Sequence, residues 1–182
     1  MVTPYLPNII KDCVTKVDTH FNTRSTDKFN VFFEKGILSQ VRKSVFENEN
    51  NFPLVWFVMK YDEQFGKENI YSSATFQLLI CVKTNVDYTQ EQREENSYFN
   101  RLIPIQEKII EEIKNNNSFH LLNKEKLKYR ITYLPYWGLG DVNGQANQPN
   151  LFANEYVDAL SINFSDVEIE NVIHCPKLLS NI

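Results

Sequence analysis

The sequence predicts an α+β fold: a single, mainly antiparallel sheet of about four to five strands, packed by two to three helices and carrying long loops. Three observations predict it. Residues Phe52 to Met59 and Ala74 to Val82 are short apolar runs, rich in β-branched and aromatic residues and bounded by polar turns. Such runs read as buried strands. Two further stretches, Lys128 to Leu134 and Val157 to Ile169, alternate with the period of two that a strand requires. Around them lie segments with apolar residues spaced for one face of a helix.

In chain order, Pro4 to about His20 reads as a helix. Leu6, Ile9, Ile10, Cys13, Val14 and Val17 form one stripe, and Lys11, Asp12, Lys16 and Asp18 the other face. Pro4 or Pro7 suits its first turn. Phe21 to Lys28 is polar enough for a loop. Phe29 to Phe33 is a strand candidate, and Gly36 turns the chain. Leu38, Val41 and Val45 place a second helix over Ile37 to about Glu47, ended by the polar run to Asn51. Pro53 cannot donate to a ladder, so it opens its strand. Lys60 to Ser73, with Asp62, Glu63, Lys67 and Glu68, is expected to be an exposed connection. In the strand that follows, Phe76, Leu78, Ile80 and Val82 make one apolar face. Thr75, Gln77, Leu79, Cys81 and Lys83 make a mixed one.

Thr89-Gln90-Glu91-Gln92 has the pattern of a capping box. A helical region follows to about Asn115, its apolar side marked by Phe99, Leu102, Ile103, Ile105, Ile109, Ile110 and Ile113. Pro104 is expected to divide it or kink it. Pro135 ends the strand that begins at Lys128. Residues 136–154 then lack periodicity and hold three of the five glycines. Long loops of this kind inside compact domains are usually functional or partly disordered. In the later strand Leu160, Ile162 and Phe164 oppose Ser161, Asn163 and Ser165. The tail, 170–182, is apolar enough to dock.

The chain has 182 residues, which fits one domain over 1–182 with a core of its own. A net charge of −4 argues against general phosphate binding and leaves room only for passive contact with DNA. Cys13, Cys81 and Cys175 form no CxxC pair, and Cys13 and Cys81 sit in apolar runs as core residues. That usage suits a reducing compartment. The N-terminus lacks the pattern of a secretory leader and no apolar run reaches membrane length, so a soluble protein is expected.

No residue pattern announces catalysis, a cofactor or a metal. His20, His120 and His174 are scattered, and no zinc spacing occurs. Asp141-Val142-Asn143-Gly144 lacks the spacing and terminal Glu of a calcium loop. The glycine rhythm from Gly138 to Gly144 follows Pro135 and precedes coil, unlike a dinucleotide loop. Glu91, Glu94 and Glu95 favour the helix dipole, and Glu107, Glu111 and Glu112 with Lys108 and Lys114 form a solvated face. Tyr136, Trp137, Leu139 and Phe152 are the candidate interface residues. With Tyr133 they surround the long loop, where aromatics serve either as core or as partner anchors.

The order of elements, with Asn51-Phe52-Pro53-Leu54-Val55-Trp56-Phe57, Thr89-Gln90-Glu91-Gln92-Arg93-Glu94 and the run Asn100 to Ile110, resembles a known family. It is similar to the small ring-forming proteins at the head–tail junction of tailed bacteriophages. It is most similar to those of crAss-like phages that infect Bacteroidales, and more generally to tail-completion (tail-terminator) folds. The resemblance rests on residues 1 to 115; the region after 120 departs from the smaller members. It implies a structural virion protein made in the host cytoplasm. Such a protein forms a homo-oligomeric ring in the neck or tail, joins adjacent portal, neck or tail proteins, and encloses DNA as the passive contents of a channel. Loops 60–73 and 136–154 and the tail then suit contacts between copies. The resemblance implies no cofactor, no catalytic residue and no membrane. The alternative is a small metal-dependent nuclease or hydrolase using Asp62, Glu63, Asp87 or Asp141.

Overall fold

The structure is a computed structural model, and it describes residues 5–23, 28–37, 40, 51–65, 71–119, 127–137 and 156–170. Its elements are α1 (Leu6–Thr23), β1 (Phe32–Gly36), β2 (Leu54–Val58), β3 (Asp62–Phe65) and β4 (Tyr71–Thr84). A helical run follows, made of α2 (Gln90–Arg93), a π-helical stretch (Glu94–Leu102) and α3 (Ile103–Asn115). The last two elements are β5 (Lys128–Leu134) and β6 (Tyr156–Glu170).

One sheet holds all six strands in the order β1-β2-β4-β6-β5, with β3 also on β4. Only β1 and β2 pair in parallel; every other pairing is antiparallel. A parallel pair needs a crossover between its strands, here between Gly36 and Leu54. The helix expected over Ile37 to Glu47 lies almost wholly outside the described residues.

The strands expected from Phe52, Lys128 and Val157 are found as β2, β5 and β6, although β2 opens at Leu54, after Pro53, and not at the proline itself. Three readings are corrected. The first strand runs from Phe32, not Phe29, because the Phe29 ring stacks 4.5 Å from Phe21 before the strand begins. The helix α1 continues to Thr23 because Phe21 extends its apolar stripe into the core. The connection 60–73 contains a strand: β3 continues along the edge of β4 that β2 occupies. Between the two pairings, residues 58–61 face only 76–77.

The alternation of β4 decides the layers. Phe76, Leu78, Ile80 and Val82 face α1 and the helical run, in one core with Val55, Phe57, Ile105, Ile109, Ile162 and Phe164. Phe76 stacks between Phe57 and Phe164, at 5.8 and 4.7 Å. On the other face Leu79 and Cys81 join Trp56, Leu54, Val157 and Ala159 in a smaller cluster. The Trp56 indole donates to the Gly36 carbonyl at 3.0 Å, so its polar edge is satisfied within that cluster. A bulge near Thr75 bends the ladder. Asp166 takes a left-handed φ of 54° there and donates its N–H to the Thr75 hydroxyl at 3.3 Å.

As expected, Pro104 stands in the first turn of a second helical piece, α3, which follows the π-helical stretch directly. Its missing N–H would have bonded the Asn100 carbonyl. The π-helical stretch ends just before it, with the Ile103 N–H bonded to the Tyr98 carbonyl, five residues back. The Arg101 guanidinium donates to the Asn100 carbonyl at 3.0 Å in the proline's place. The N-terminal cap is as expected: the Gln92 N–H donates to the Thr89 hydroxyl and the Thr89 N–H to the Gln92 side chain. At the other end Asn116 caps the helix, and its amide donates to Cys13 Sγ at 3.3 Å. Among the described residues no helix is long and apolar enough to cross a membrane.

Ile80, fully buried at the centre of the larger core, is the position where packing should matter most. Ile80→Ala is expected to lower the unfolding free energy by about 2–5 kcal/mol. Thr89→Ala, which removes only the cap, is expected to cost about 0.5–2 kcal/mol. Urea unfolding of both variants measures the ratio. A cap variant that costs more than the core variant would show that the helical run, not the sheet, carries the fold.

Candidate functional site

The most unusual polar arrangement lies at the end of the sheet where β4 meets the helical run. Asp158 pairs with Val82 across the ladder, so its side chain shares the helix-covered face with Leu160 and Ile162. It is fully buried. Its Oδ1 accepts the Tyr136 N–H at 3.0 Å and faces Arg93 Nε at 3.6 Å, close enough for ion pairing but long for a hydrogen bond. Ser97 and Thr84, joined by a hydroxyl contact of 3.4 Å, lie near the same carboxylate. Asp158 Oδ2, Arg93 Nε and the Tyr98 hydroxyl are buried with no hydrogen-bond partner. A buried, incompletely satisfied ion pair is not a source of stability and calls for another account.

The electrostatics follow from that burial. Desolvation raises the Asp158 carboxyl above its ordinary 3.8, and the Ser97 and Thr84 hydroxyls and the Arg93 charge only partly reverse it. Burial likewise pushes the Tyr98 phenol well up, reinforced by the nearby Asp158 charge, so it stays a donor at neutral pH. The thiols of Cys81 and Cys13 are also raised by burial, which makes them inert core groups.

Asp158 also fixes the start of the segment after β5. Tyr136 adopts a left-handed φ of 48°, a conformation that costs a residue with a Cβ about 1–2 kcal/mol. Three contacts hold it there: its N–H on Asp158, its ring 3.8 Å beneath the Arg93 guanidinium, and its hydroxyl on the Val86 carbonyl at 3.2 Å. Trp137 packs edge-on to Trp56. These two candidate interface residues are therefore half-buried against their own chain. Leu139 and Phe152 lie outside the described residues, as do most of 136–154 and the tail beyond Glu170.

Two grooves of about 390 Å³ each flank the π-helical stretch. One is mainly apolar and lies beside β5, between Tyr98, Phe99, Ile103 and Tyr133. The other lies towards β2 and carries Lys83 and Arg101. Phe99, assigned by spacing to the helix's apolar side, is instead 62 % exposed at the rim of the first groove. The π-helical winding shifts the phase of the stripe and turns Phe99 outward while Tyr98 and Leu102 go in.

The acids of the alternative reading are not brought together. Asp62 and Glu63 sit on β3 opposite Thr75 and Ala74, and Glu63 accepts from the Ser72 hydroxyl. Asp87 lies past Thr84 at the far end of β4, roughly 30 Å along the strand. Asp141 is outside the described residues. Among the described residues no three His, Cys, Asp or Glu side chains cluster for a metal. Asp158 and Arg93 were not singled out by the sequence. The available signal was an acidic residue at inward parity, two before Leu160. Compared with known proteins, the chain matches no family model and no curated protein.

Because the native state holds the Asp158 proton more tightly than the unfolded chain does, this group's contribution to stability falls as pH rises from 3.8 through its raised native pKa. Asp158→Asn removes that dependence. The unfolding free energy of the wild type minus that of Asp158→Asn is expected to decline with rising pH in this window. Denaturant titrations at several pH values test it, and parallel profiles would refute the raised pKa.

Proposed function

We propose that this protein is a structural subunit of a closed ring in the neck or tail of a tailed bacteriophage. It joins neighbouring portal, neck or tail rings around a channel through which DNA passes without specific contact. This is the role that the resemblance of residues 1 to 115 implies.

The observation that carries it is the placement of exposed apolar side chains. Among the described residues six large ones are exposed: Tyr5, Ile37, Val86, Phe99, Tyr129 and Tyr133. Five of them lie at the two open edges of the sheet. Tyr129 and Tyr133 stand on β5, with Phe99 beside them; Ile37 follows β1, and Tyr5 lies under the Lys35 amine at 4.8 Å. No described strand pairs with the outer side of β1 or β5. Open edges with apolar flanks are templates for association. The two edges differ in composition, so a contact between them is heterologous, and heterologous contacts close into rings when the rotation allows. The contacting aromatics in this reading are Tyr129, Tyr133 and Phe99, with Tyr136 and Trp137 bracing β5 from within.

Purified protein, alone and mixed with its neighbouring gene products, is expected to give rotationally symmetric rings in electron micrographs. Tyr129→Ser with Tyr133→Ser is expected to abolish them while the circular dichroism spectrum is unchanged. A monomer under every condition, or a double variant that still assembles fully, would remove the reading.

A further inference from the structure

Given the ring reading, on which this rests, we infer that the sheet continues from one copy to the next. β1 of one copy adds to β5 of its neighbour as an antiparallel strand, with Glu34 opposite the neighbour's Arg130.

Strand direction permits it. β1 runs parallel to β2, and β4, β6 and β5 then alternate in direction. The two open edges are therefore antiparallel to each other. A head-to-tail repeat of the chain brings them together as an antiparallel pair, with the helix-covered faces on one side. Backbone phase permits it too. Phe32 donates its N–H to the Pro53 carbonyl and Gly36 accepts from the Met59 N–H, so the even-numbered residues of β1 bond β2. Phe33 and Lys35 hold their N–H and C=O groups on the open side. The same alternation, carried through the pairs Leu54↔Cys81, Ile80↔Leu160 and Thr132↔Ser161, turns Arg130 and Thr132 towards β6. Tyr129, Ile131 and Tyr133 are left with outward backbone groups. Among the described residues no strand takes up either outward set.

Side chains then select the register. Phe33 and Lys35 share the helix-covered face with Val55 and Phe57, and Tyr129, Ile131 and Tyr133 share it with Phe164, Ile162 and Leu160. Phe32 and Glu34 lie on the opposite face, as do Arg130 and Thr132. Setting Glu34 opposite Arg130 puts Phe33 opposite Ile131, with Tyr129 and Tyr133 as its diagonal neighbours. Phe33 and Ile131 are each only half-buried by their own core, so the contact completes their burial. Among the described residues neither Glu34 nor Arg130 has an ion pair within its own chain. Facing each other they form a pair of opposite charge at a non-hydrogen-bonded position, where side chains approach most closely. Sliding β1 by two residues sets Phe32 against Arg130 in one direction and Lys35 against Ile131 in the other, and loses the Glu34–Arg130 pair both ways.

The test is disulfide cross-linking of the full chain, alone and mixed with its neighbouring gene products, beside electron micrographs of the same samples. In a Cys175→Ser background, Glu34→Cys with Arg130→Cys places two thiols on Cα atoms about 4.5 Å apart across the contact, within reach of a disulfide. Cys13 and Cys81 are buried and stay out of the reaction. Mild oxidation is expected to give a ladder of linked copies on non-reducing gels. Either single cysteine, or Glu34→Cys with Thr132→Cys two residues out of register, is expected to give none. Glu34→Arg and Arg130→Glu are each expected to lower the assembled fraction about tenfold, and the two together to restore it. Symmetric rings without the cross-link would overturn the strand pairing and leave the ring reading standing. Linked copies that never close would uphold the pairing and remove the ring reading. Neither rings nor links would overturn both. Circular dichroism identifies any variant that fails to fold, and Glu34→Gln and Arg130→Gln supply the comparison where a charge reversal does.

Discussion

β4 and β6 pair from Tyr71↔Glu170 to Thr84↔Tyr156, broken only at the bulge beside Thr75, and both faces of that ladder are buried towards Thr84. Every other element is placed by it. β2 and β3 share one edge, β5 takes the other, and the helices cover the face that carries Phe76 to Val82. Ladder hydrogen bonds are made by the backbone, so the side chains are left to fill two separate cores. The inward parity that buries Leu160 and Ile162 also commits position 158 to the interior. The chain puts an aspartate there, and the polar cluster is built to receive it.

The helical run shows the same dependence. A proline inside a helix should cost about 3 kcal/mol through its lost bond and its clash with the carbonyl four residues back. Here the preceding nine residues wind as a π-helix, and Arg101 supplies a donor to the stranded Asn100 carbonyl. The wider winding changes which residues face the sheet: Ser97, Tyr98 and Leu102 go in and Phe99 goes out. Both flanking grooves follow from that one adjustment.

How much of this the sequence carried depends on whether a feature is local. The alternation of β4, β5 and β6, the stripe of α1 and the Thr89 capping box are each set by neighbours within a few residues, and each was legible. β3 was not, because Asp62-Glu63-Gln64 lacks apolar alternation; it is a strand only because β4 is longer than β2 and offers it an edge. That Pro104 opens a second helical piece was legible, but the π-helical winding of the piece before it was not. The candidate site divides the same way. Tyr136 and Trp137 were found as aromatics beside a loop, but their inward role depends on Asp158, Arg93 and Trp56, distant in sequence. The exposure of Tyr129 and Tyr133 depends on β5 being an edge, which is a property of strand order.

The buried Asp158 links these levels. Tyr136 stays in its left-handed conformation only while its N–H has a strong acceptor and its ring a cation above it, and Asp158 provides the first and orients the second. Protonation weakens a carboxyl oxygen as an acceptor and removes the partner of Arg93 at once. The group whose burial raises its own pKa is therefore the group that holds the end of β5 in place. Deleting the charge with asparagine keeps an acceptor for the Tyr136 N–H but leaves Arg93 unpaired, so it separates the hydrogen bond from the ion pair. If the ion pair is what sustains the geometry, Asp158→Asn releases the Tyr136 ring from Arg93 and shifts the Trp137 resonances against Trp56. If the hydrogen bond alone suffices, both rings keep their native positions.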